Sequence, residues 1–142
     1  MFEILICLLV KHFICDFPLQ SHPWLYSRKG FYGAPGGIAH AAIHGVGTLI
    51  VLTVLPMFAA AASTATIAAI TLQSAVLWAV IDTLIHYHID WAKMRTNRAM
   101  NWKPDNSEKF WILLGFDQFM HHLTYILIAY GVINGVVNGG SG

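Results

Sequence analysis

The longest uncharged segment of the chain runs from Gly30 to Ile81, and its 52 residues include no Asp, Glu, Lys or Arg. A helix needs about 20 mainly apolar residues to cross a bilayer, so this segment can hold two crossings. The whole chain has 142 residues, of which 56% are hydrophobic and 11% charged. Because a soluble domain carries about a quarter charged residues, we expect an integral membrane protein of the all-α class.

Four membrane-spanning helices are predicted, and together they form a single four-helix bundle over residues 1–138. The first covers about 2–19 and the second about 37–57, with a turn near Pro56. The third begins within 59–66 and ends near Trp91, and the fourth covers about 107–137. Residues 139–142, Gly-Gly-Ser-Gly, are typical of an artificial linker.

The basic residues predict the orientation of the chain. Seven of its eight Lys and Arg residues follow the first or the third predicted span, and these two loops lie on the same side of a four-span protein. The positive-inside rule places that side in the cytoplasm and both termini outside, in a multi-pass inner (plasma) membrane protein. Lys93 and Lys109 are interpreted as interfacial groups that extend toward the lipid headgroups.

The same features indicate the partners. A net charge of +1 gives no broad basic surface for nucleic acid, which excludes a nucleic-acid binder. The expected partner is the lipid bilayer itself. Small residues in the second and third spans would also allow homo-oligomers.

Ionisable side chains occur inside all four predicted spans, although each costs about 2.5–3.5 kcal/mol at mid-membrane. Many of them are four residues apart and so share a helix face. These intervals join His12 with Asp16 and Gln20, His40 with His44, Asp82 with His86 and Asp90, Asp117 with His121, and Gln118 with His122. Because each set lies toward the predicted cytoplasmic end of its span, we expect one polar site in the cytoplasmic half of the bundle.

Imidazoles and carboxylates from facing helices are typical metal ligands. The predicted ligands are His12, Asp16, His40, His44, Asp82, His86, Asp117 and His121. Gln20, Asp90, Gln118 and His122 are expected to surround them. The ion is a divalent metal, with zinc favoured over manganese or iron. The surplus of ligands fits either a dinuclear centre or one ion with a large outer ring of polar groups.

A metal at this position favours hydrolysis, because a divalent ion lowers the pKa of bound water to near 7. Asp82 or Asp117 would act as the general base, and Lys11 would stabilise the developing anion. The depth of the site suits a phospholipid-like or another amphiphilic ester as substrate.

Three strings carry a resemblance to a known family: residues 11–20, KHFICDFPLQ, residues 82–93, DTLIHYHIDWAK, and residues 116–122, FDQFMHH. With their His-x3-Asp-x3-Gln, Asp-x3-His-x3-Asp and Asp-Gln-x2-His patterns, they resemble a family of small prokaryotic and phage membrane proteins of unknown function. That resemblance implies the fold and topology but no activity. A more distant similarity is to inner-membrane metal-dependent hydrolases, whose His-Arg-x-x-Thr-His type of motif has only a loose counterpart in His40-x3-His44.

Two other functions fit the same residues. Chains of His and Asp also form proton or metal relays in transporters, although the outer half of the spans offers few polar groups for a complete path. In the third alternative the polar residues only hold the helices together in a non-catalytic scaffold.

Overall fold

The computed structural model describes the backbone of residues 1–61 and 69–139, and the side chains of 1–58 and 69–136. Across these ranges the protein is all-helical, with no strand. The five α-helices are α1 (Phe2–Asp16), α2 (Pro23–Tyr26), α3 (Pro35–Ala61), α4 (Leu72–Ala99) and α5 (Glu108–Gly139). A short 3-10 helix, Leu19–Ser21, joins α1 to α2.

The four long helices pack in a ring. Helix α1 contacts α3 and α5, and α4 contacts the same two helices from the other side. The short helix α2 packs against α3 near the start of that helix. Each long helix therefore turns one face toward a common interior.

The helix ends differ in part from the sequence prediction. Pro56 was expected to end the second span, but it lies inside α3, which continues to Ala61. A proline removes only one backbone hydrogen bond, and the alanines that follow it have the highest helix propensity. Helix α4 begins at Leu72, where the Thr71 side chain accepts a hydrogen bond from the amide of Ser74.

Two predicted features lie partly outside the described residues. The turn and the start of the third span were placed within 59–66, of which 62–66 are not described. Of the predicted linker, Gly139 is the last residue of α5, and 140–142 are not described.

The interior of the ring has two layers along the helix axes. One layer is apolar and consists of Ile4, Leu8, Leu52, Ala75, Tyr125, Ile128, Ala129 and Val132. The other layer is polar and lies toward the loops that precede α3 and α5. It buries Lys11, His12, Asp16, Lys29, His40, His44, Thr48, Asp82, His86, Asp90, Asp117 and His121.

The outer surface of the ring is rich in large apolar side chains. Exposed examples occur on every long helix, among them Phe13 on α1, Ile50 on α3, Leu84 on α4 and Ile126 on α5. Two segments, Pro35–Phe58 and Glu108–Val136, are long and apolar enough to cross a membrane by length and composition. Helix α1 has only 15 residues, and the polar residues on the inner face of α4 lower its hydropathy.

Gly45 allows α3 and α4 to approach closely. A Cβ atom at this position would overlap Oγ1 of Thr83 and lie 2.8 Å from the carbonyl oxygen of Ala79. By contrast, a Cβ atom on Gly115 of α5 would meet nothing within 4 Å. Gly115 is therefore a suitable control for a substitution of Gly45, because both are helical glycines and only Gly45 lies in a close contact.

Gly45→Ala is expected to destabilise the protein by about 1–3 kcal/mol, the usual cost of overpacking a close contact. Gly115→Ala, the control, is expected to stabilise it by roughly 0.5–1 kcal/mol, because alanine loses less backbone entropy in a helix. Thermal unfolding of both variants in detergent measures the difference. Equal shifts in Tm would contradict the close approach of α3 and α4.

Candidate metal centre

The carboxylate of Asp16 lies at the centre of the polar layer. Its Oδ1 atom is 3.1 Å from Nε2 of His40 and 3.1 Å from Nε2 of His44. Nε2 of His86 lies 3.8 Å from the same oxygen. The other oxygen, Oδ2, is 3.4 Å from Nε2 of His12. Four imidazoles thus face one carboxylate, one from the same helix, two from α3 and one from α4.

The sequence places these groups by simple rules. Helix α1 ends at Asp16, two residues before Pro18, which has no backbone N–H to continue the helical hydrogen bonds. His40 and His44 are one helical turn apart on α3, so both point into the ring. His86 and Asp90 repeat that interval on α4.

Asp16, His40, His44 and His86 form a first group that could hold a metal ion, and all four are buried. Their ligand atoms lie within 4.8 Å of one another. Zinc–nitrogen bonds of 2.0–2.1 Å at tetrahedral angles separate neighbouring ligand atoms by roughly 3.3 Å. The 3.1 Å distance from Nε2 of His40 to Nε2 of His86, like those from Asp16 to His40 and His44, is close to this value.

His86, Asp90 and His121 form a second group of buried ligands, which shares His86 with the first. Nε2 of His86 lies 3.5 Å from Asp90 Oδ2, and Nε2 of His121 lies 3.9 Å from Asp90 Oδ1. The ring of His86 is stacked between those of His44, at 3.5 Å, and His121, at 4.1 Å. His86 therefore connects the two groups.

Two ammonium groups already neutralise the second group. Nζ of Lys29 is 2.6 Å from Asp90 Oδ2, and Nζ of Lys93 is 3.1 Å from Asp90 Oδ1. Lys93 also donates to Asp117 Oδ2 at 2.8 Å. The first group has no such lysine among these contacts, so imidazole hydrogen bonds, and no cation, satisfy its carboxylate.

Lys29 reaches the site from the loop between α2 and α3. This loop packs on α4, where the guanidinium of Arg98 lies 3.7 Å from the ring centroid of Phe31. Burial lowers the pKa of Lys29, and the charge of Asp90 offsets only part of this effect. The loop thus closes the polar end of the ring with a buried cation.

Several buried atoms of the site lack a hydrogen-bond partner. They are Nδ1 of His40, Nδ1 of His86, Oδ1 of Asp117 and Nε2 of His121. Asp117 Oδ1 lies 3.6 Å from His121 Nε2. Unpartnered buried polar atoms are uncommon, and an ion or water is a usual explanation.

A second set of contacts lies between the metal-ligand groups and the apolar layer. Lys11 donates to Asp82 Oδ2 at 2.8 Å, and Thr48 donates to the same oxygen at 2.6 Å. Lys11 also contacts the Tyr125 hydroxyl at 3.2 Å, and that hydroxyl lies 3.0 Å from His12 Nδ1. Gly47 leaves room for the Lys11 stem, because a Cβ atom there would lie 2.7 Å from Lys11 Cγ.

The structure brings together five of the eight predicted ligands: Asp16, His40, His44, His86 and His121. Asp82 is instead paired with Lys11 and Thr48, away from both groups. The predicted anion-stabilising role of Lys11 also lacks geometric support, since Asp82 already holds its ammonium group. Asp82 pairs with Lys11 because a buried lysine needs a carboxylate partner.

The remaining predicted residues surround the groups. Nε2 of His12 lies 3.0 Å from Gln118 Oε1, and Asp117 is held by Lys93 and Gln118. Gln20 donates to the backbone carbonyl of Asp16 and accepts from Lys29. His122 is exposed, with its ring 5.9 Å from that of His12.

Four residues of the site were missed or misplaced by the sequence analysis. Asp90 was expected in the outer ring but belongs to the second group, and Lys93 was interpreted as interfacial but reaches inward. The interval of three residues between Asp90 and Lys93 was the available signal. Lys29 lies in a loop and had no periodic pattern to indicate it. Tyr125 is four residues after His121, so the interval of four was the available signal there.

The polar layer has a simple charge balance. Among the described residues it contains four carboxylates, on Asp16, Asp82, Asp90 and Asp117, and three ammonium groups, on Lys11, Lys29 and Lys93. With neutral imidazoles its net charge is therefore −1. One divalent ion would change this to +1, and two would change it to +3.

Comparison with known protein families gives a match over most of the chain. The family model of DUF3307, described as a protein of unknown function, matches residues 4–139. No curated protein and no solved structure matches the chain. The match covers nearly the whole chain, which therefore belongs to the DUF3307 family.

Proposed function

We propose that this protein is a membrane-embedded metal-dependent hydrolase that acts on an amphiphilic ester. Its four long helices would cross the inner membrane, with both termini outside and the polar layer in the cytoplasmic half. The observation that carries the proposal is the convergence of ligand atoms from Asp16, His40, His44 and His86. Three of the distances between these atoms are close to those of a tetrahedral site.

The distribution of side chains supports the membrane location. Large apolar side chains cover the outside of all four long helices, whereas charged and polar side chains fill much of the interior. Water would penalise this arrangement, and lipid would favour it. The two long helices that fall short of a span by composition or length, α1 and α4, supply Asp16, His86 and Asp90 to the site.

The ligand set and the charge balance favour one zinc ion at the first group. Imidazole and carboxylate ligands in a four-coordinate arrangement suit zinc. One ion leaves the polar layer at +1, whereas a second would leave it at +3 in a buried, weakly solvated interior. Lys29 and Lys93 would occupy the place of a second cation beside Asp90.

A zinc ion bound there would supply an activated water and polarise the scissile group. Catalytic zinc sites usually have three protein ligands and one open position. We assign Asp16, His40 and His44 as the three ligands that would hold the ion throughout the reaction. Asp16 Oδ1 lies 3.1 Å from both of these imidazoles but 3.8 Å from His86. His86, which is shared with the second group, would be the ligand that gives way to water at the fourth position.

Asp117 is the best candidate for the general base. Its Oδ1 atom is buried without a hydrogen-bond partner, while Oδ2 is held by Lys93 and Gln118. In hydrolysis of a phosphate ester, the water oxygen forms a bond to phosphorus and its proton passes to Asp117. The ester P–O bond breaks, and the leaving alkoxide takes up the proton that Asp117 accepted. Asp82, the other predicted base, is held by Lys11 and Thr48.

The transport alternative has less support. A transport path needs polar groups on both sides of the site. On one side of the polar layer, the described interior is closed by the apolar layer that includes Leu8, Leu52 and Ile128. The scaffold alternative would be favoured if the purified protein carried no metal.

Metal content tests the ion site directly. Protein purified in detergent without chelator is expected to contain about one zinc per chain, and His44→Ala less than roughly a tenth of that, because a ligand is lost. His88→Ala is the matched control for metal content, since His88 is exposed, contacts Tyr32 and belongs to neither ligand group. Plasma emission spectrometry measures the metal, and circular dichroism verifies that the helices persist. Equal zinc in the two variants, or none in the wild type, would refute the site.

Asp117→Asn tests the catalytic step. A general base contributes about 10²–10⁴-fold to the rate, so the variant is expected to lose this factor in kcat while it keeps its zinc. Dodecyl p-nitrophenyl phosphate in micelles is a suitable chromogenic substrate. His122→Ala is the control, because His122 is exposed and lies outside both ligand groups. Unchanged kcat in Asp117→Asn would exclude this residue as the base.

A further inference from the structure

A groove of about 430 Å³ opens between α4 and α5 beside the second His/Asp group. We call it the α4–α5 groove. Its walls are largely apolar and include Ile89, Ala92, Leu113, Phe116 and Met120, and its polar end contains Lys93 and Asp117. The volume is within the range of about 300–1,000 Å³ that small-ligand sites usually have.

The groove connects the apolar outer surface to the polar layer. Ala92 and Phe116 are exposed on the outside of the ring. At the inner end, the Lys93 side chain is 14% exposed and donates to both Asp90 and Asp117. Lys93 is therefore the accessible cation nearest to the second group.

The charge of the site selects the ligand. With one divalent ion bound, the polar layer has a net charge of +1, which an anionic group would neutralise. A lysine ammonium is a flexible point charge with three donors, and it binds phosphate readily. Lys93 can donate to a ligand oxygen in place of Asp117 Oδ2 through rotation of its four-carbon stem.

A second, larger groove of about 730 Å³ lies between α1 and α3. It contains Lys11, but that ammonium group is held by Asp82, Tyr125 and the carbonyl oxygen of His44. Neither groove is lined by a ligand of the two metal groups, but the Lys11 side chain is only 6% exposed, compared with 14% for Lys93. The α1–α3 groove therefore offers a matched apolar surface with a less accessible charge.

We propose that the α4–α5 groove binds an amphiphile with an alkyl chain and an anionic phosphoryl-type head. The head contacts Lys93 beside the second group, and the chain lies along Ala92, Leu113, Phe116 and Met120. This inference rests on the proposed function, since the ion supplies the positive charge. Beyond the proposed function, the inference specifies that the substrate reaches the site between α4 and α5 and that Lys93 recognises its head.

Binding of dodecylphosphonate tests the inference. Its P–C bond cannot be hydrolysed as an ester, so binding is measured without turnover. Zinc-loaded protein in phosphatidylcholine nanodiscs is titrated by calorimetry, with empty nanodiscs subtracted. Ala92→Phe fills the groove and is expected to raise the Kd at least about tenfold, since it removes the space for the chain. Ala42→Phe, at an exposed position in the α1–α3 groove, is expected to leave it unchanged.

Lys93→Gln tests recognition of the head. We expect it also to weaken dodecylphosphonate at least about tenfold, since it removes a charge-assisted contact. Inorganic phosphate, which lacks a chain, is expected to bind more weakly than dodecylphosphonate, and dodecanol is not expected to compete. A wild-type Kd retained in Ala92→Phe, or equal competition by dodecanol, would overturn the inference.

The outcomes separate the two proposals. Tight binding of dodecylphosphonate without any ester hydrolysis would support the groove and contradict the proposed reaction. Hydrolysis that is unaffected by Ala92→Phe would support the reaction and contradict the groove.

Discussion

Burial of the Asp16 carboxylate inside a ring of apolar helices is the constraint on which the remaining structure depends. An isolated carboxylate in such an interior would cost several kcal/mol. The chain meets this cost by placing imidazoles of His12, His40, His44 and His86 around the two oxygens. Neutral imidazoles satisfy hydrogen bonds but supply no charge, so the site remains suited to a cation.

The other buried carboxylates, which lie farther from Asp16, have their charges balanced by lysines. Asp90 is balanced by Lys29 and Lys93, and Asp82 is balanced by Lys11. These pairs fix the charge around the candidate ion and leave the first group without an ammonium partner. The apolar layer then closes the described interior on the side of the termini, which favours chemistry at one membrane face over passage through the bundle.

The sequence was sufficient to predict the all-helical class and several side chains that meet in the candidate site. Intervals of four residues in uncharged or weakly charged helices predicted which faces of α3 and α4 turn inward, and His40, His44 and His86 do lie together. The sequence did not show which side chains on different helices contact each other. Periodicity specifies the face of a helix but not the partner across the ring, so Asp82 was assigned to the metal although Lys11 and Thr48 bind it.

Loops and exceptions to local rules account for the other differences. Lys29 reaches Asp90 only because the loop before α3 folds over α4, a tertiary contact without a sequence pattern. Pro56 failed as a helix end because the alanines after it favour continuation of α3.

X-ray absorption at the zinc K edge of the detergent-purified protein tests the central claim most directly. We expect about four nitrogen or oxygen ligands near 2.0–2.1 Å, with the outer-shell scattering of at least two imidazoles. A first shell of oxygen atoms alone, with no imidazole scattering, would contradict it.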